Sequence, residues 1–373
     1  MVPLLSANDP AVLAAPKEKA DEVFMDRMHD ISSRGYAWGY LGSVICLLIC
    51  VGVTVVFSGD SIVAYGINCA IAGFWWFGFS LFTFAWLRPR PGPPLPPGEN
   101  YLVLPWKRMA ITISRVRQLP QTFFFLINWF IFSDGFNTIS SVGAIYANTS
   151  VTWSIPKSVG LAGLLVITPI FAGIGNMFWN WIHNRNWLSP KTIIRLNLIL
   201  MALVPAYGLL GFADKALGYR RFWELYLGVI LYGFMLGSVQ SFARSAFGAM
   251  IPEGLEAQFY SLYNVTDRGS SWIGPAVVAT VINTTGTIRL AFVYPLIMLT
   301  IPTLLLHFVD FSKAEASAKV YARTHGTAVL ATRGGVTVAN ITDTPISDKA
   351  TPNESEGVAL VSTGSVDTAT VSP

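Results

Sequence analysis

Residues 37–57 read AWGYLGSVICLLICVGVTVVF, a run of 21 residues that contains no charged side chain. A helix needs about 20 apolar residues to cross the hydrocarbon core of a bilayer. Polar and apolar residues do not alternate along this run, so its length and pattern favour a helix over a strand. The stretch therefore predicts a transmembrane helix.

Seven further stretches of similar length and apolar character follow along the chain. They lie at 61–86, 122–147, 159–182, 194–213, 223–246, 259–284 and 289–309. Only helices and closed barrels satisfy all their own backbone hydrogen bonds in lipid. We therefore predict an all-α polytopic membrane protein with about eight transmembrane helices. The seventh stretch is the least regular, because the charged pair Asp267 and Arg268 interrupts it.

The composition excludes an ordinary soluble domain. Hydrophobic residues make up 53% of the 373 residues, charged residues only 12%, and the mean hydropathy is +0.51, whereas soluble domains carry about 25% charged residues. The net charge is +4, and the charged residues lie mainly in the connections between apolar runs. We therefore expect membrane lipids, and no nucleic acid, as partners. The sequence contains no HExxH motif, P-loop or Cys/His cluster. We therefore predict neither an enzyme nor a metal site or cofactor.

Lys and Arg are distributed unevenly between the two sets of connections. Up to residue 323, the set that includes the N-terminal segment and the tail carries 18 of these residues, whereas the opposite set carries five. Cytosolic loops of membrane proteins are enriched in Lys and Arg. We therefore predict that both termini lie in the cytosol.

The predicted orientation can be tested in the C-terminal tail. Asn340 and Asn353 lie in Asn-x-Ser/Thr sequences, which are glycosylated only on the lumenal side. We expect both residues to stay unmodified, so that glycosidase treatment leaves the electrophoretic mobility of the chain unchanged. A glycosidase-sensitive shift that disappears in the Asn340→Gln, Asn353→Gln double variant would reverse the orientation.

Asp134 is the leading functional candidate, because it lies near the middle of the third stretch in the sequence SDGFNT. A charged residue at mid-membrane costs about 2.5–3.5 kcal/mol and suggests a functional site. Asn137, Thr138 and Ser141 follow at spacings that place them on the same helical face. The stretch therefore predicts a polar face that lines a transport pathway or a gate. The alternative is that Asp134, beside Gly135, caps a local break in the helix.

A second set of candidates lies on one face of the sixth stretch. Gly233 and Gly237, four residues apart, favour close helix packing over ligand binding. The polar residues of this face are Gln240, Ser241 and Arg244. We expect the first two to line the pathway, and Arg244 to reach the cytosolic interface or to pair with Asp267.

Three blocks of the sequence resemble a known family. They are SSRGYAWGYLGS (32–43), LINWFIFSDGFNTI (126–139) and RSAFGAMIPEGLEAQFYSLYNVTDRGSSWIGP (244–275). In order and content they resemble the Gly-Tyr-x-x-Gly-Tyr-x-Gly, Tyr/Phe-x-Asp-Gly-x-Asn-Thr-Ile and Ser/Ala-Arg-Ser…Ile-Pro-x-Gly…Gly-Pro sequences of one family. This is the autophagy-related protein 22-like family of vacuolar effluxers, within the major facilitator superfamily.

The resemblance implies a twelve-helix fold of two six-helix bundles in the vacuolar membrane. It also implies export of neutral amino acids (leucine, isoleucine and tyrosine) to the cytosol after autophagic degradation. The eight stretches then correspond to helices five to twelve of a partial major facilitator fold, and we expect a truncated gene model, a splice form or a degenerate copy. Facilitator substrates bind between the two halves, so we expect little transport by this chain alone. The alternative is a non-transporting paralogue that pairs with a full-length relative as scaffold or regulator.

The same resemblance divides the chain into five parts. They are a cytosolic N-terminal segment (1–36), the last two helices of the N-terminal bundle (37–86), a Pro-rich basic central cytosolic loop (87–121), a C-terminal six-helix bundle (122–310) and a disordered cytosolic tail (311–373). The tail is predicted to be disordered because it is rich in small and polar residues and has no aromatic residue after Tyr321. The loop contains a basic, partly amphipathic stretch at 106–118.

Overall fold

The structure is a computed structural model that describes residues 2–16, 19–57, 61–87, 100, 102–114, 117–154, 157–212, 217–252, 254–325, 329–332 and 335–338. The helices are α1 (Val2–Ala7), α2 (Pro10–Leu13), α3 (Ala20–Val56), α4 (Ser61–Trp86), α5 (Leu104–Ser114), α6 (Pro120–Thr149), α7 (Lys157–Asn184), α8 (Pro190–Leu210), α9 (Phe222–Ala249), α10 (Glu256–Ser270), α11 (Ile273–Thr285), α12 (Val293–Leu305) and α13 (Phe311–His325). A 3₁₀ helix (Ile288–Phe292) precedes α12. Two short strands, β1 (Val329–Thr332) and β2 (Gly335–Val338), pair antiparallel.

Six helical segments of the described chain are long and apolar enough to cross a membrane: α3, α4, α7, α8, α9, and α12 with its preceding 3₁₀ turn. The all-α polytopic fold is therefore confirmed, with six such spans in place of the eight predicted. The third predicted stretch forms α6, whose 30 residues are continuous but include the polar sequence around Asp134, which lowers its hydropathy.

The prediction of one helix over 259–284 is wrong. A turn at Ser271 and Trp272, whose backbone stays in the right-handed helical region, interrupts the helix, so that α10 and α11 are separate helices. Pro275 lies in the first turn of α11, a position where its missing N–H and fixed φ are tolerated. Because the predicted stretch is divided into two helices, neither α10 nor α11 is long enough to span a bilayer alone.

The core lies where α6, α8, α9 and α12 pack together. Its largest fully buried side chains include Phe132 and Phe136 of α6, Phe242 and Phe247 of α9, and Phe292 just before α12. Aromatic residues bury large apolar areas, so these rings fix the relative positions of the four helices.

The helices α7 and α9 pack closely through glycine. An ideal Cβ at Gly175 would lie 1.9 Å from the carbonyl oxygen of Phe234, and one at Gly237 would lie 2.1 Å from that of Ala172. At Gly233 the nearest atom would be the carbonyl oxygen of Thr168, at 2.6 Å. This confirms the interpretation of Gly233 and Gly237 as packing residues, because a side chain larger than hydrogen would push the backbones apart.

The helical structure extends beyond the predicted boundaries at both ends. Helix α3 begins at Ala20, so much of the predicted N-terminal segment 1–36 is helical. The prediction of disorder from residue 311 onwards is wrong for α13, which buries Ala314, Ala318 and Tyr321. Their spacing of four and three residues forms an apolar helical face that the small-residue composition concealed. The Pro-rich run 88–99 and residues 339–373 lie outside the described residues.

Candidate functional site

Asp134 lies in the middle of α6 and is only 2% exposed. The backbone N–H of Gly274 in α11 donates a 3.1 Å hydrogen bond to its Oδ1. The Tyr294 hydroxyl of α12 donates a 2.6 Å hydrogen bond to its Oδ2. One buried carboxylate therefore joins three helices of the bundle.

The contact with Gly274 places the carboxylate at the N-terminus of α11. The first N–H groups of a helix have no partner within the helix and carry a partial positive charge, so they bind anions. Helix α6 continues without a break through Gly135, which instead packs against Met298. The predicted alternative of a break in α6 is therefore wrong, and the helix break that Asp134 contacts is the one between α10 and α11.

Ser133, the neighbour of Asp134, contacts the other side of the same break. Its hydroxyl donates a hydrogen bond to Asp267 Oδ1 of α10. Asp267 also lies 4.0 Å from the Arg268 guanidinium, which is largely exposed. Two adjacent residues of α6 thus bind both helices of the interrupted pair, one on each side of the break.

The other three candidates of α6 differ in their surroundings. Thr138 is fully buried against α11, and its Oγ1 makes no hydrogen bond to the described residues. Asn137 and Ser141 are half-buried, and the Ser141 hydroxyl donates to the backbone oxygen of Asn137 at 3.2 Å. The structure therefore places Asp134 and Thr138 on the contact with α11.

Gly274 sits where α6 and α11 are closest. An ideal Cβ there would lie 1.7 Å from Thr138 Oγ1 and 3.2 Å from Asp134 Oδ1. We expect Gly274→Ala to lower the thermal stability of the purified chain, because overpacking of this kind costs about 1–3 kcal/mol. Adding Thr138→Ala removes the closest atom, so it should restore part of the lost stability. Equal stability of Gly274→Ala and the unchanged chain would show that the two helices are not in close contact.

The candidates on α9 face α3, away from Asp134. The Tyr40 hydroxyl donates a 2.8 Å hydrogen bond to Gln240 Oε1, and the Ser32 hydroxyl donates to the backbone oxygen of Ser241 at 3.1 Å. The Arg244 guanidinium lies 6.0 Å from the ring centres of Tyr36 and Tyr260. The described structure shows no ion pair between Arg244 and Asp267, one of the two expectations for this residue. Among the described residues, no hydrogen bond joins Asp134 to these α9 residues.

Sequence reasoning missed further polar residues of this second group. His29 contacts the Ser245 hydroxyl at 2.5 Å, and the Asn176 side-chain amide donates to the backbone oxygen of Ser33 at 2.7 Å. The Asn180 amide donates to Asp30 at 3.3 Å. The missed signal was the four-residue spacing of polar side chains in α7 and in α9, which places each set on one helical face.

These contacts join α3 to the bundle through the N-terminal half of the helix. Hydrogen bonds between α3 and the rest of the described chain, apart from α4, involve residues 29–40, and α3 has no buried residue after Ser33. The hydrogen-bonded contacts of α3 with α7 and α9 therefore lie at residues 29–40.

The comparisons with known proteins agree with this architecture. The chain is similar to Autophagy-related protein 22-1 of Aspergillus niger, with 38% identity over 77% of this chain and 48% of that protein. It is equally similar to Autophagy-related protein 22-1 of Penicillium rubens, with 38% identity over 77% of this chain and 50% of that protein. The chain thus spans about half the length of these relatives.

A solved structure shows the same fold. The E. coli fucose:proton symporter FucP superposes with a TM-score of 0.52 over 82% of this chain and 73% of that one, at 14% identity. This confirms the major facilitator fold, to which FucP belongs. Residues 1–319 match the family described as "Vacuole effluxer Atg22 like". The chain is therefore a multi-pass membrane protein that belongs to the Atg22-like vacuole effluxer family.

Proposed function

We propose that this chain takes part in moving small neutral amino acids, such as leucine, isoleucine and tyrosine, from the vacuole to the cytosol. The observation that carries the proposal is the buried Asp134 carboxylate, which joins α6 to α11 and α12 in a chain of an effluxer family. A carboxylate within a membrane bundle is expensive to bury, which favours a role in transport over a purely structural one. Its charge would act in coupling or gating.

Alternating access supplies the mechanism. The two halves of a facilitator rock around a central site, so that one end opens while the other closes. The contacts of Gln240 and Ser241 with α3 would hold the cytosolic end closed while the lumenal end is open. Breaking them would let α3 separate from α9 and release the solute to the cytosol. Metal or enzyme chemistry has no part in this proposal.

Transport can be measured in vacuolar vesicles from cells that produce the chain. The vesicles are preloaded with radiolabelled leucine, isoleucine or tyrosine, with lysine and glutamate as charged controls. Because little transport is expected of this chain alone, we expect a small increase in the loss of the neutral amino acids over vesicles without the chain, and no change for the charged ones. Loss of all five at the same raised rate would indicate a leak and contradict the proposal.

An open face of α3 favours a second candidate, in which the chain is a scaffold or regulator of a full-length relative. Gly35 and Gly39 are four residues apart, and an ideal Cβ on either would meet no described atom within 4 Å. Small residues at this spacing let another helix approach closely. In this case the chain alone would leave leucine loss unchanged, and it would alter the rate only when the relative is present. Gly39→Leu should then abolish both the pairing and the effect.

A further inference from the structure

Helix α5 (Leu104–Ser114) lies in the connection between α4 and α6 and is the only helix described there. Helix α4 ends at Trp86 and α6 begins at Pro120. A connection between two consecutive membrane helices has both its ends on the same side of the membrane. Helix α5 therefore lies on the same side of the membrane as both ends. Its sequence, LPWKRMAITIS, combines basic and apolar residues.

One side of α5 packs against the bundle. The Thr112 hydroxyl donates a 3.0 Å hydrogen bond to Gln258 Oε1 of α10, and Thr112 is 1% exposed. Met109 packs against the core from the same side. These two contacts fix the rotation of α5 about its own axis, which determines where its other residues point.

A second side of α5 carries an exposed apolar stripe. Trp106, Ala110 and Ile113 follow each other at spacings of four and three residues, and Val103 continues the stripe just before the helix. Trp106 is 68% exposed and Ile113 is 47% exposed. An apolar stripe on a surface helix marks an interaction site, and tryptophan is favoured at the membrane interface.

The charged side chains of residues 100–119 are all basic. Lys107, Arg108, Arg115 and Arg117 lie in or next to the helix, and residues 100–119 contain no Asp or Glu. The cytosolic leaflet of cellular membranes carries anionic phospholipids, which attract basic segments close to the membrane surface. Charge complementarity therefore favours an anionic lipid surface over a neutral one.

We propose that α5 lies on the bilayer surface and docks onto anionic phospholipid headgroups. The stripe of Trp106, Ala110 and Ile113 enters the boundary between headgroups and acyl chains, and Lys107 and Arg117 contact the phosphates. Interfacial helices of this kind combine buried apolar area with electrostatic attraction. The bilayer is present beside every multi-pass protein, so this partner needs no additional component.

Fluorescence quenching tests the docking in the full chain. The three cysteines, Cys46, Cys50 and Cys69, are replaced by alanine, and one cysteine is introduced by Ala110→Cys on the stripe or by Ile111→Cys next to it. The latter is a matched control, because Ile111 is also exposed (41%), but a one-residue step turns its side chain about 100° away from the stripe. Each variant receives an NBD fluorophore and is reconstituted with spin-labelled phosphatidylcholine as quencher. The vesicles contain phosphatidylcholine alone or phosphatidylcholine with phosphatidylserine.

We expect strong quenching at position 110, weak quenching at position 111, and an increase at position 110 when phosphatidylserine is added. Lys107→Gln with Arg117→Gln should weaken binding to phosphatidylserine-containing vesicles by about 25-fold and so remove most of the increase at position 110, because each basic residue near the surface contributes about fivefold to binding. Equal weak quenching at both positions would overturn the proposal, since protein or water would then cover the stripe. Strong quenching at position 110 that depends neither on phosphatidylserine nor on the Lys107→Gln and Arg117→Gln substitutions would also overturn the proposal, since anionic headgroups would then have no role.

Discussion

Gly175→Ala should force α7 and α9 apart and strongly lower the stability of the chain. The new Cβ would lie 1.9 Å from the Phe234 carbonyl oxygen and 2.7 Å from its Cα. Both are backbone atoms of a helix, so no side-chain rotation relieves the clash. Overpacking in a well-packed core costs about 1–3 kcal/mol and occasionally more, and we expect the upper end of this range.

The measurement is thermal unfolding of the purified chain in detergent, with Gly173→Ala as control. Gly173 lies in the same helix two residues away, and an ideal Cβ there would meet only the Tyr40 side chain, at the ordinary contact distance of 3.7 Å. We expect the control to unfold at the temperature of the unchanged chain and Gly175→Ala to unfold at least about 5 °C lower. If both variants unfolded together, α7 and α9 would not pack through Gly175.

The sequence predicts helices well and helix breaks poorly in this protein. The length of the apolar stretches alone was enough to predict α3, α4, α7, α8 and α9. A long apolar segment in lipid can satisfy its backbone hydrogen bonds in few structures other than a helix. The break between α10 and α11 had local signals in Asp267, Arg268 and Pro275. Transmembrane helices generally tolerate proline and charge near their ends, so these signals did not indicate a break.

The partners of the candidate residues could not be predicted, because they are distant in the sequence. Asp134 contacts Gly274, 140 residues away, and Tyr40 contacts Gln240, 200 residues away. Helical spacing shows which residues share a face, but it does not show which helix that face contacts. The placement of Gln240 and Asp134 along one transport pathway therefore stays a prediction, and the structure adds their separate partners, Tyr40 and Gly274.

Asp134→Asn is expected to leave folding intact and to abolish pH-dependent efflux. Asparagine keeps the shape of aspartate, and its side-chain oxygen can accept the Gly274 N–H, so the N-terminus of α11 keeps a cap. What disappears is the negative charge that the Tyr294 hydroxyl and the helix N-terminus stabilise. A group that couples proton movement to transport must gain and lose a proton, which asparagine cannot do.

Efflux of leucine is measured at several pH values in vesicles where the chain, alone or with a full-length relative, shows measurable transport. Tyr294→Phe is the matched control, because it removes one hydrogen bond from the carboxylate and keeps its charge. A hydrogen bond to a charged group contributes about 1.5–3 kcal/mol, so this variant should retain efflux with a shifted pH response. The Asn variant should reach normal protein levels with efflux near background at every pH.

The two roles of Asp134 give opposite results in this experiment. If Asp134 only caps α11, aspartate and asparagine are nearly equivalent at this position. The Asp134→Asn variant would then show unchanged efflux that still depends on pH. That result would refute a role of Asp134 in coupling. Loss of the protein itself, with little folded chain recovered, would show that the buried charge is needed for the bundle to assemble. Normal protein without pH-dependent efflux is the one result that requires the titrating carboxylate, because every contact that asparagine can reproduce would still be present.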